Sequence, residues 1–537
     1  MRNRISAMTI ALLAAIAAHA ENELSPEAVE AQGAVVGEIV LEKHNIFDLD
    51  NPEENNWLYR WANRLHVVTQ DKVIRKQLLL KEGEPFSARL LQESERILRR
   101  NDYLWDVSLD VTEVEDGKAK INVLTRDVWT LLPDISVSRS GGENRTKYGL
   151  EDTNLLGRGQ TLRVARIETV DRVSRRFEFA DQHLGRSWVS GFLRLADNSD
   201  GRSNILSLVR PFIQLDSRWS AGLRLVDDER RTALYSLGDE AAEFQSEQQY
   251  ASLFHGWSGG LKDGWVQRWT AGVVYDENTF FDVPEPTLLQ AIPDNRKLIY
   301  PFIGIEIVED KFEESANRNR IGRTEDFYLG TRFQGTVGYA AESFGSDRDA
   351  FVYNAQASKG FGSLTRKALL LGATASGRVE DGEAVNTRID LSVDYYRRQS
   401  EKRVFFMSAS GTYGDKLDLD NPVRLGGKSG LRGYPLRYQN AESKVLFTVE
   451  QRYFTDWYPW RLFRVGGAIF FDAGRSFGDR PLVEEEQGWL KDVGIGLRLA
   501  PTRGGTTKIA HIDLAFPLDG DASIDDVQIL LEAKRSF

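Results

Sequence analysis

The stretch with the most obvious chemical potential is RLGGKSGLRGYPL, residues 424–436, in which Lys428 and Arg432 stand among glycines. Its GKS tripeptide, residues 427–429, matches the end of a phosphate-binding P-loop. That motif also needs a glycine where this sequence has Pro422. No helical pattern follows whose N-terminus could face a phosphate. A nucleotide site is therefore not predicted, and the stretch is either a surface turn or a basic loop with another role.

A second candidate is GWSGG, residues 256–260, which matches the G-x-S-x-G nucleophile elbow around Ser258. The elbow needs a strand, a tight turn and then a helix, whereas the following LKDGW predicts another turn before a strand. Only His511 lies downstream as a base, in the middle of a predicted strand. The histidines show no metal-ligand spacing and the chain has no cysteine. We therefore predict no enzyme, no catalytic residue, no metal and no cofactor.

The first twenty residues indicate where the chain works. Arg2 and Arg4 precede an apolar run, and Ala18-His19-Ala20 fits a cleavage site, so residues 1–20 are predicted to be a secretory signal peptide. No later apolar run approaches the roughly 20 residues that a membrane-spanning helix needs. Without cysteine, the exported chain has no disulfide to hold it together.

Composition narrows the class further. A formal net charge of −11 argues against nucleic acid as a partner. The chain combines a polar average, with a mean hydropathy of −0.40, with 12 Trp, 17 Tyr, 27 Phe and 46 Gly. This profile is typical of a transmembrane β-barrel, because only every second residue of a strand faces lipid.

The N-terminal part has mixed periodicity after a polar linker over residues 21–33. Residues 34–130 are predicted to form a small α+β domain, large enough for its own core. It starts with the strand GEIVLEKHNIF and ends with a hairpin that turns at Asp116-Gly117. Two helices are predicted between them: NNWLYRWANRLH, with Trp57, Leu58, Trp61 and Leu65 on one face, and SARLLQESERILRRN, with Leu90, Leu91, Ile97 and Leu98 on one face and Ser87 as N-cap.

From residue 131 to 537 the pattern alternates with a period of two. In KIAHIDLAFPL the apolar side chains fall on one face, and His511 and Asp513 on the other. In VGGAIFFDAG, Asp472 lies on the polar face, and in KVLFTVEQRYF Glu450 does so. A soluble β-sandwich would alternate in the same way. The signal peptide, the aromatic turn YFTDWYPWRLF and a last strand ending on Phe537 favour a membrane barrel.

The order of motifs along the chain carries a family resemblance. VIRKQLLLKEGEPFSARLLQESERILRRNDYLWDVSLDV resembles a POTRA domain, and GLEDTNLLGRGQ, GLRGYP, FFDAG, VGIGLRL and a terminal Phe follow in order. This order resembles the BamA/TamA superfamily of POTRA-plus-barrel transporters, with one POTRA domain. The resemblance implies sixteen strands, whereas about twenty candidate strands can be counted. Hairpins around residues 229–256 are therefore expected to be extracellular loops.

The resemblance also assigns roles to residues. It implies that loop 424–436 folds back into the barrel lumen, where Arg432 meets Asp472 and Glu450 on the wall. The further residues that it implicates are Leu431, Gly433 and Tyr434 in the loop motif, Gly474 of the x-Asp-x-Gly strand motif, and Phe537 as a C-terminal sorting signal.

The function expected from the resemblance is assembly or translocation of β-rich polypeptides at the outer membrane of a Gram-negative bacterium, with the POTRA domain in the periplasm. The expected partners are outer-membrane lipid, unfolded or β-rich polypeptide and accessory proteins, but not nucleic acid. A dedicated two-partner secretion pore and a barrel surface antigen without transport activity are the alternatives.

Overall fold

The structure, a computed structural model, describes residues 24–283, 292–318, 320–321, 323–479, 488–504, 508–521 and 524–534. The chain divides into two compact units, one formed mostly by residues up to Trp129 and the other mostly by residues from Thr130 onward. The predicted signal peptide, residues 1–20, lies outside the described residues. Within the described part, no helix is long and apolar enough to cross a membrane.

The N-terminal unit packs helices on one three-stranded sheet of order β1-β3-β2. Its elements are α1 (Pro26–Ala31), β1 (Val35–His44), α2 (Trp57–Leu65), α3 (Asp71–Arg75), α4 (Ala88–Arg99), β2 (Leu104–Glu115) and β3 (Lys118–Asp127). Strands β1 and β3 are parallel, and β2 and β3 form an antiparallel hairpin. Both turn residues of the hairpin, Asp116 and Gly117, have positive φ, as the predicted tight turn requires.

The core of this unit lies between α4 and the sheet. Leu91 and Leu98 of α4 are buried with the alternate apolar residues of the hairpin, in agreement with the predicted stripe. Ser87 occupies the N-cap position of α4, but its side chain makes no capping hydrogen bond. Residues 26–31, expected to belong to a linker, instead form α1 and bury Val29 in the same core.

Helix α2 forms where it was predicted, but the face that it buries is not the predicted one. It packs on the unit through Tyr59, whose ring stacks on Phe47 with centroids 4.0 Å apart, and through Asn63, which bonds both backbone groups of Phe47. The predicted apolar face is solvent-exposed, with Trp57 73% and Trp61 55% accessible. Amphipathicity located the helix correctly, but the face that packs is the more polar one.

The N-terminal unit should fold as an isolated fragment, residues 24–129, because its core is made of its own helices and sheet. Within that fragment Asn56 caps α2 by accepting a hydrogen bond from Tyr59 N at 3.0 Å. We expect Asn56→Ala to lower the free energy of unfolding by ~1 kcal/mol, the usual value of an N-cap. Urea denaturation followed by circular dichroism measures this, with the exposed neighbour Asn55→Ala as control. Poor amide dispersion of the wild-type fragment in NMR would contradict independent folding.

The second unit is a closed antiparallel barrel. Its first strands are β4 (Leu131–Pro133), β5 (Ser136–Ser140), β6 (Glu143–Asp152), β7 (Gln160–Glu168), β8 (Val173–Asp181), β9 (Ser190–Asn198), β10 (Gly201–Arg210), β11 (Trp219–Ser236), β12 (Asp239–Lys262), β13 (Trp265–Phe281) and β14 (Arg296–Glu309). The hairpin β15 (Phe312–Ala316) and β16 (Thr324–Tyr328) is a separate sheet. The wall continues with β17 (Arg332–Ala340), β18 (Ala350–Ser363), β19 (Lys367–Glu380), β20 (Glu383–Ser400) and β21 (Arg403–Asp415).

A second separate hairpin, β22 (Val423–Leu425) and β23 (Gln439–Ala441), interrupts the wall before its last strands. Those strands are β24 (Ser443–Phe454), β25 (Phe463–Phe477), β26 (Leu490–Pro501), β27 (Ile509–Pro517) and β28 (Gln528–Lys534). Because neighbours are antiparallel, loops alternate between two ends. We call the end at which β4 begins the near end, and the end with the β5–β6 turn the far end.

The number of wall strands corrects the prediction. β4 and β5 pair with successive parts of β6 and form one strand, so the described residues give a barrel of 20 strands, not sixteen. Residues around 229–256, expected in extracellular hairpins, lie mostly in β11 and β12, which pair along their length. Alternation alone had suggested about twenty strands, and that count is the correct one.

The two faces of the wall follow the predicted alternation. On β20, Ile389 and Leu391 point outward and are exposed, while Asp390 points into the lumen, where it accepts a hydrogen bond from Thr412 at 2.6 Å. On β27, Ile512 and Phe516 are exposed and Asp513 is fully buried. The outer surface is therefore apolar and the inner surface polar, as a barrel in lipid requires.

Candidate functional site in the barrel lumen

The predicted basic stretch belongs to the far-end loop between β21 and β24, residues 416–442, which we call the lumen loop. The β22–β23 hairpin closes the base of this loop by pairing Val423 with Ala441. The backbone then turns tightly through Gly426 and Gly430, whose φ values of 114° and 104° suit glycine. At Gly430 any Cβ would lie 2.3 Å from Leu446 of the wall, so the loop approaches the barrel as closely as a glycine permits.

This turn places Arg432 among carboxylates of the wall. Its Nε and one terminal nitrogen donate to the two oxygens of Asp472 at 2.7 and 3.0 Å, and the other terminal nitrogen donates to Glu450 at 2.9 Å. The guanidinium carbon also lies 3.4 Å from the centroid of the Phe470 ring. The bidentate geometry and the stacking fix the plane of the guanidinium.

The residues of this contact are buried. Glu450 and Asp472 are 6% and 2% exposed, and Arg432 is 9% exposed. Glu450 also accepts a hydrogen bond from Arg452 at 2.8 Å, and Arg498 pairs with Asp513, whose carboxylate lies 3.8 Å from Arg432. Removing Arg432 would leave Asp472 buried without its ion-pair partner and Glu450 with Arg452 alone, which is costly.

The residues after Arg432 fasten the loop further. Gly433 N donates to Asp492 at 3.0 Å, and a Cβ at Gly433 would lie 2.7 Å from that side chain. The Tyr434 hydroxyl contacts the carbonyls of Lys491 and Asp519 at 2.8 and 3.0 Å. Burial raises the pKa of Tyr434 to about 12, so the hydroxyl stays protonated and can donate at neutral pH.

The remaining motif residues support packing. Leu431 is completely buried in an apolar cluster with Leu425, Tyr434 and Tyr438. Gly474 lies two residues beyond Asp472 on the lumen face, where a Cβ would be 3.4 Å from the Leu425 side chain. Phe537, predicted as a sorting signal, lies outside the described residues.

The lumen loop also reaches the opposite wall. Arg437 makes a bidentate contact with Asp171 in the β7–β8 turn at 2.7 and 2.6 Å, and Leu436 N donates to Gly141 O at 3.0 Å. Asn440 donates to the carbonyl of Tyr235 on β11. The loop is thus held by strands on both sides of the barrel and crosses the lumen near its far end.

A second segment enters the barrel from the near end. We call residues 310–331, which contain β15 and β16, the plug hairpin. Arg398 of β20 donates to Ser315 at 3.3 Å, and Ile321 is buried with Phe406, Phe454 and other lumen-facing residues of β20 to β27. The sequence pattern does not distinguish this segment from the wall, because a short hairpin in the lumen has the same alternation as a wall strand.

The plug hairpin and the lumen loop are joined by side chains along the wall. Arg318 of the hairpin lies 4.1 Å from the Tyr396 ring, which contacts Phe406 with centroids 4.8 Å apart. Arg452 lies 3.9 Å from the Phe406 ring and bonds Glu450, which bonds Arg432. A continuous series of buried contacts therefore connects the segments that occupy the two ends.

The rejected serine site also has a clear geometry. Ser258 lies near the end of β12, donates to the carbonyl of Gln267 on the adjacent strand at 2.9 Å and accepts from Gly260 N at 3.0 Å. The strand–turn–helix arrangement of a nucleophile elbow is not formed here, because β13 follows directly.

Replacing Tyr434 with Phe tests the fastening of the loop. The substitution keeps the ring in its apolar cluster but removes the hydroxyl that forms hydrogen bonds with backbone groups of Lys491 and Asp519. We expect a loss of ~1–3 kcal/mol in barrel stability, since these buried groups lose a partner. Urea unfolding in lipid vesicles measures this, with Tyr413→Phe as control, because Tyr413 is 55% exposed on the outer face. Equal stability of both variants would show that the contact is not held in solution.

Known proteins share features with both units of this chain. Residues 66–126 match the POTRA family model, described as surface antigen variable number repeat. No curated protein sequence matches the chain. Among solved structures, the chain is similar to BamA from Haemophilus ducreyi lacking POTRA domains 1-3, with 13% identity over 92% of this chain and 84% of that one and a TM-score of 0.41.

Two other solved structures are similar at the same level. CdiB from Acinetobacter baumannii has 12% identity over 93% of this chain and 74% of that one, with a TM-score of 0.44. CdiB from Escherichia coli has 13% identity over 93% and 76%, with a TM-score of 0.45. Similarity at these identities and TM-scores does not define a function.

The POTRA match over residues 66–126 and the closed antiparallel barrel together give the chain a POTRA-plus-barrel architecture, as its motif order predicted. The barrel that follows the POTRA match has 20 strands in the described residues.

Proposed function

We propose that this protein inserts β-rich polypeptides into the outer membrane of a Gram-negative bacterium, with its POTRA domain and the near end of the barrel in the periplasm. The observation that carries this proposal is the seam, the contact between β28 and the first wall strand, β4–β5. Among the described residues the seam has one ladder pair, Leu531 with Arg139. By contrast, β27 and β28 pair from Ile509–Lys534 to Ala515–Gln528.

A poorly paired seam is suited to strand addition. Backbone N–H and C=O groups that lack partners in lipid cost several kcal/mol each, so an incoming strand that pairs with them is favoured. The POTRA sheet also has edges, formed by β1 and β2, at which an extended peptide can add as a further strand. In this proposal a substrate polypeptide first binds as a strand at the edge of the POTRA sheet and then pairs with the barrel strands at the seam.

The contents of the lumen support insertion at the wall over passage through the pore. The lumen loop crosses the far end and the plug hairpin lies in the near end, both fastened by buried side chains. A polypeptide passing through the lumen would have to displace both. Exchange at the seam requires neither to leave.

A disulfide across the seam tests the proposal directly, because the chain has no cysteine of its own. Arg139→Cys with Leu531→Cys joins the two facing residues, which are close enough in a ladder to be bridged. We expect the oxidised variant to lose its acceleration of the folding of a urea-unfolded barrel protein into vesicles, and reduction to restore it. The matched control, Ile512→Cys with Leu531→Cys, joins two strands that are already paired and should stay active.

Other outcomes separate the alternatives. Full activity of the oxidised seam variant would contradict insertion at the seam, and steady ion conductance of the wild type in planar bilayers would indicate a secretion pore. In cells, depletion should lower the amounts of many outer-membrane barrels. Loss of one exported protein would favour a dedicated pore, and no loss a surface antigen without transport activity.

A further inference from the structure

A cavity of about 450 Å³ at the far end of the lumen has an unusual excess of positive charge. Seven arginines line it, against two carboxylates, those of Asp171 and Asp420. We call it the arginine cavity. Two of its arginines, Arg424 and Arg437, belong to the lumen loop, and the other five come from the start of β6, the β7–β8 turn, β8 and β11.

The two carboxylates neutralise only one of the seven arginines, Arg437. Asp171 is occupied by its bidentate contact with Arg437, and Asp420 by a bidentate contact with Arg296 at 3.2 and 2.8 Å, which lies outside the cavity lining. Four other lining arginines have a carboxylate partner outside the cavity lining: Arg172 pairs with Asp200, Arg176 with Glu178, Arg230 with Asp228 and Arg231 with Glu243.

Arg424 is the clearest unsatisfied group. Its single hydrogen bond in the described part of the structure is to the carbonyl of Ala233 at 3.2 Å, and its buried Nε has no acceptor there. Burial and the neighbouring Arg437 lower the pKa of Arg424, as expected for a cation that lacks a counter-charge. Arg145 lines the same cavity and forms no ion pair within the described residues.

This arrangement fits an anion with several oxygens. Planar guanidinium groups bind phosphate in a bidentate manner and remain charged at any physiological pH. The volume falls in the range of sites for small molecules. We propose that the arginine cavity binds a phosphate-bearing anion, either free or carried on a lipid headgroup, which would bridge the lumen loop to the wall.

Calorimetric titration of the full chain in neutral detergent with sodium triphosphate tests the proposal. We expect one saturable site, and Arg424→Gln should weaken binding by about tenfold, the effect of losing one charge-assisted contact. Arg145→Gln should also weaken binding and serves as the second variant, since Arg145 is exposed near the start of β6. Arg202 is an exposed far-end arginine outside the cavity, so the Arg202→Gln variant should bind as the wild type does.

A second arm distinguishes the two sources of phosphate. Micelles of a diphosphorylated glucosamine lipid are titrated beside the same lipid without phosphates. Binding of the phosphorylated lipid alone assigns the site to a headgroup, and binding of triphosphate assigns it to a free anion. No binding of either probe, or equal weakening by Arg202→Gln, would overturn the proposal.

Helix α2 has an exposed apolar face, and the inference drawn from it rests on the proposed placement of the protein in the outer membrane. The exposed face of α2 presents Trp57, Trp61, Leu58 and Leu65, and Arg60 and Arg64 lie beside this stripe. The helix is held to its unit by the opposite face, through Tyr59 and Asn63. Its exposed apolar side is thus fixed outward by packing.

Tryptophan and arginine at the edge of an apolar stripe are typical of helices that lie in a membrane interface. The unit is also joined to a barrel by continuous chain at Trp129, which keeps it within reach of a bilayer. We infer that α2 docks on the periplasmic leaflet, with Arg60 and Arg64 meeting anionic headgroups.

A label on the helix tests this in the intact chain. Leu65→Cys carrying a nitroxide, in full-length protein reconstituted in vesicles with phosphatidylglycerol, should be relaxed by lipid-soluble oxygen more than by an aqueous nickel reagent. Glu53→Cys, exposed on the loop before α2, should show the opposite preference. Heat-modifiable gel migration confirms that the barrel is inserted, so failure of docking is distinguished from failure of the proposed placement. A nitroxide at 65 that stays accessible to nickel would overturn the inference and leave the face to a protein partner.

Discussion

Arg432→Ala is expected to lower the free energy of unfolding of the barrel by ~3–5 kcal/mol, the usual cost of removing one partner from a buried ion pair. The substitution leaves Asp472 and Glu450 buried without their guanidinium, and the Phe470 ring loses its stacked neighbour. The lumen loop should also become accessible to protease in the folded barrel. Urea unfolding in vesicles and limited trypsin digestion measure the two effects.

Lys428→Ala is the matched control, because it removes the same charge from the same loop at an exposed position without a carboxylate partner in the described structure. It should change stability little. A double-mutant cycle then isolates the contact: Asp472→Asn should cost much less in the Arg432→Ala background than in the wild type. Additive losses would mean that Arg432 and Asp472 do not interact in the folded protein.

The same cycle can be extended toward the near end. If the series of contacts from Arg432 through Arg452 to Arg318 acts as one packed unit, Arg318→Ala should loosen the lumen loop as well as the plug hairpin. Spatial continuity alone does not show such coupling, so the measured quantity is the interaction energy between the Arg432 and Arg318 substitutions. An interaction energy of zero would mean that the two segments are held independently.

Leu391→Arg should reduce barrel stability by ~2–4 kcal/mol, the cost of an arginine on the lipid face near the middle of a bilayer. Leu391 lies at the centre of β20 and is 56% exposed on the outer surface. The neighbouring residue Ser392 is two positions from lumen-facing Asp390 and so shares its face, and Ser392→Arg is the control because it places the same side chain in the lumen.

Folding yield into vesicles and the urea midpoint distinguish the two variants. We expect Ser392→Arg to fold with nearly wild-type yield and Leu391→Arg to fold poorly. The reverse result would show that the inner and outer faces are assigned the wrong way round. Equal yields would show that β20 does not cross the hydrocarbon region.

Local periodicity was sufficient for much of this protein. The change from a period of 3.6 to a period of two separates the POTRA domain from the barrel, because helices and strands repeat their side-chain directions differently. The same alternation placed Glu450 and Asp472 on the lumen face, where charge is tolerated, before any contact was known. The resemblance, not periodicity, paired them with Arg432, because alternation indicates a face and not a neighbour.

The tertiary structure decided what depends on distant segments. Residues 310–331 form a plug and not wall because their strands pair only with each other, and alternation cannot reveal a missing neighbour. The buried face of α2 contacts Phe47, which is distant in sequence: Tyr59 stacks on its ring and Asn63 bonds its backbone. The contact between Arg437 and Asp171 joins residues 266 positions apart, and the arginine cavity exists only because the lumen loop folds across to that wall. Such contacts depend on how the strands close into a barrel, which no local pattern specifies.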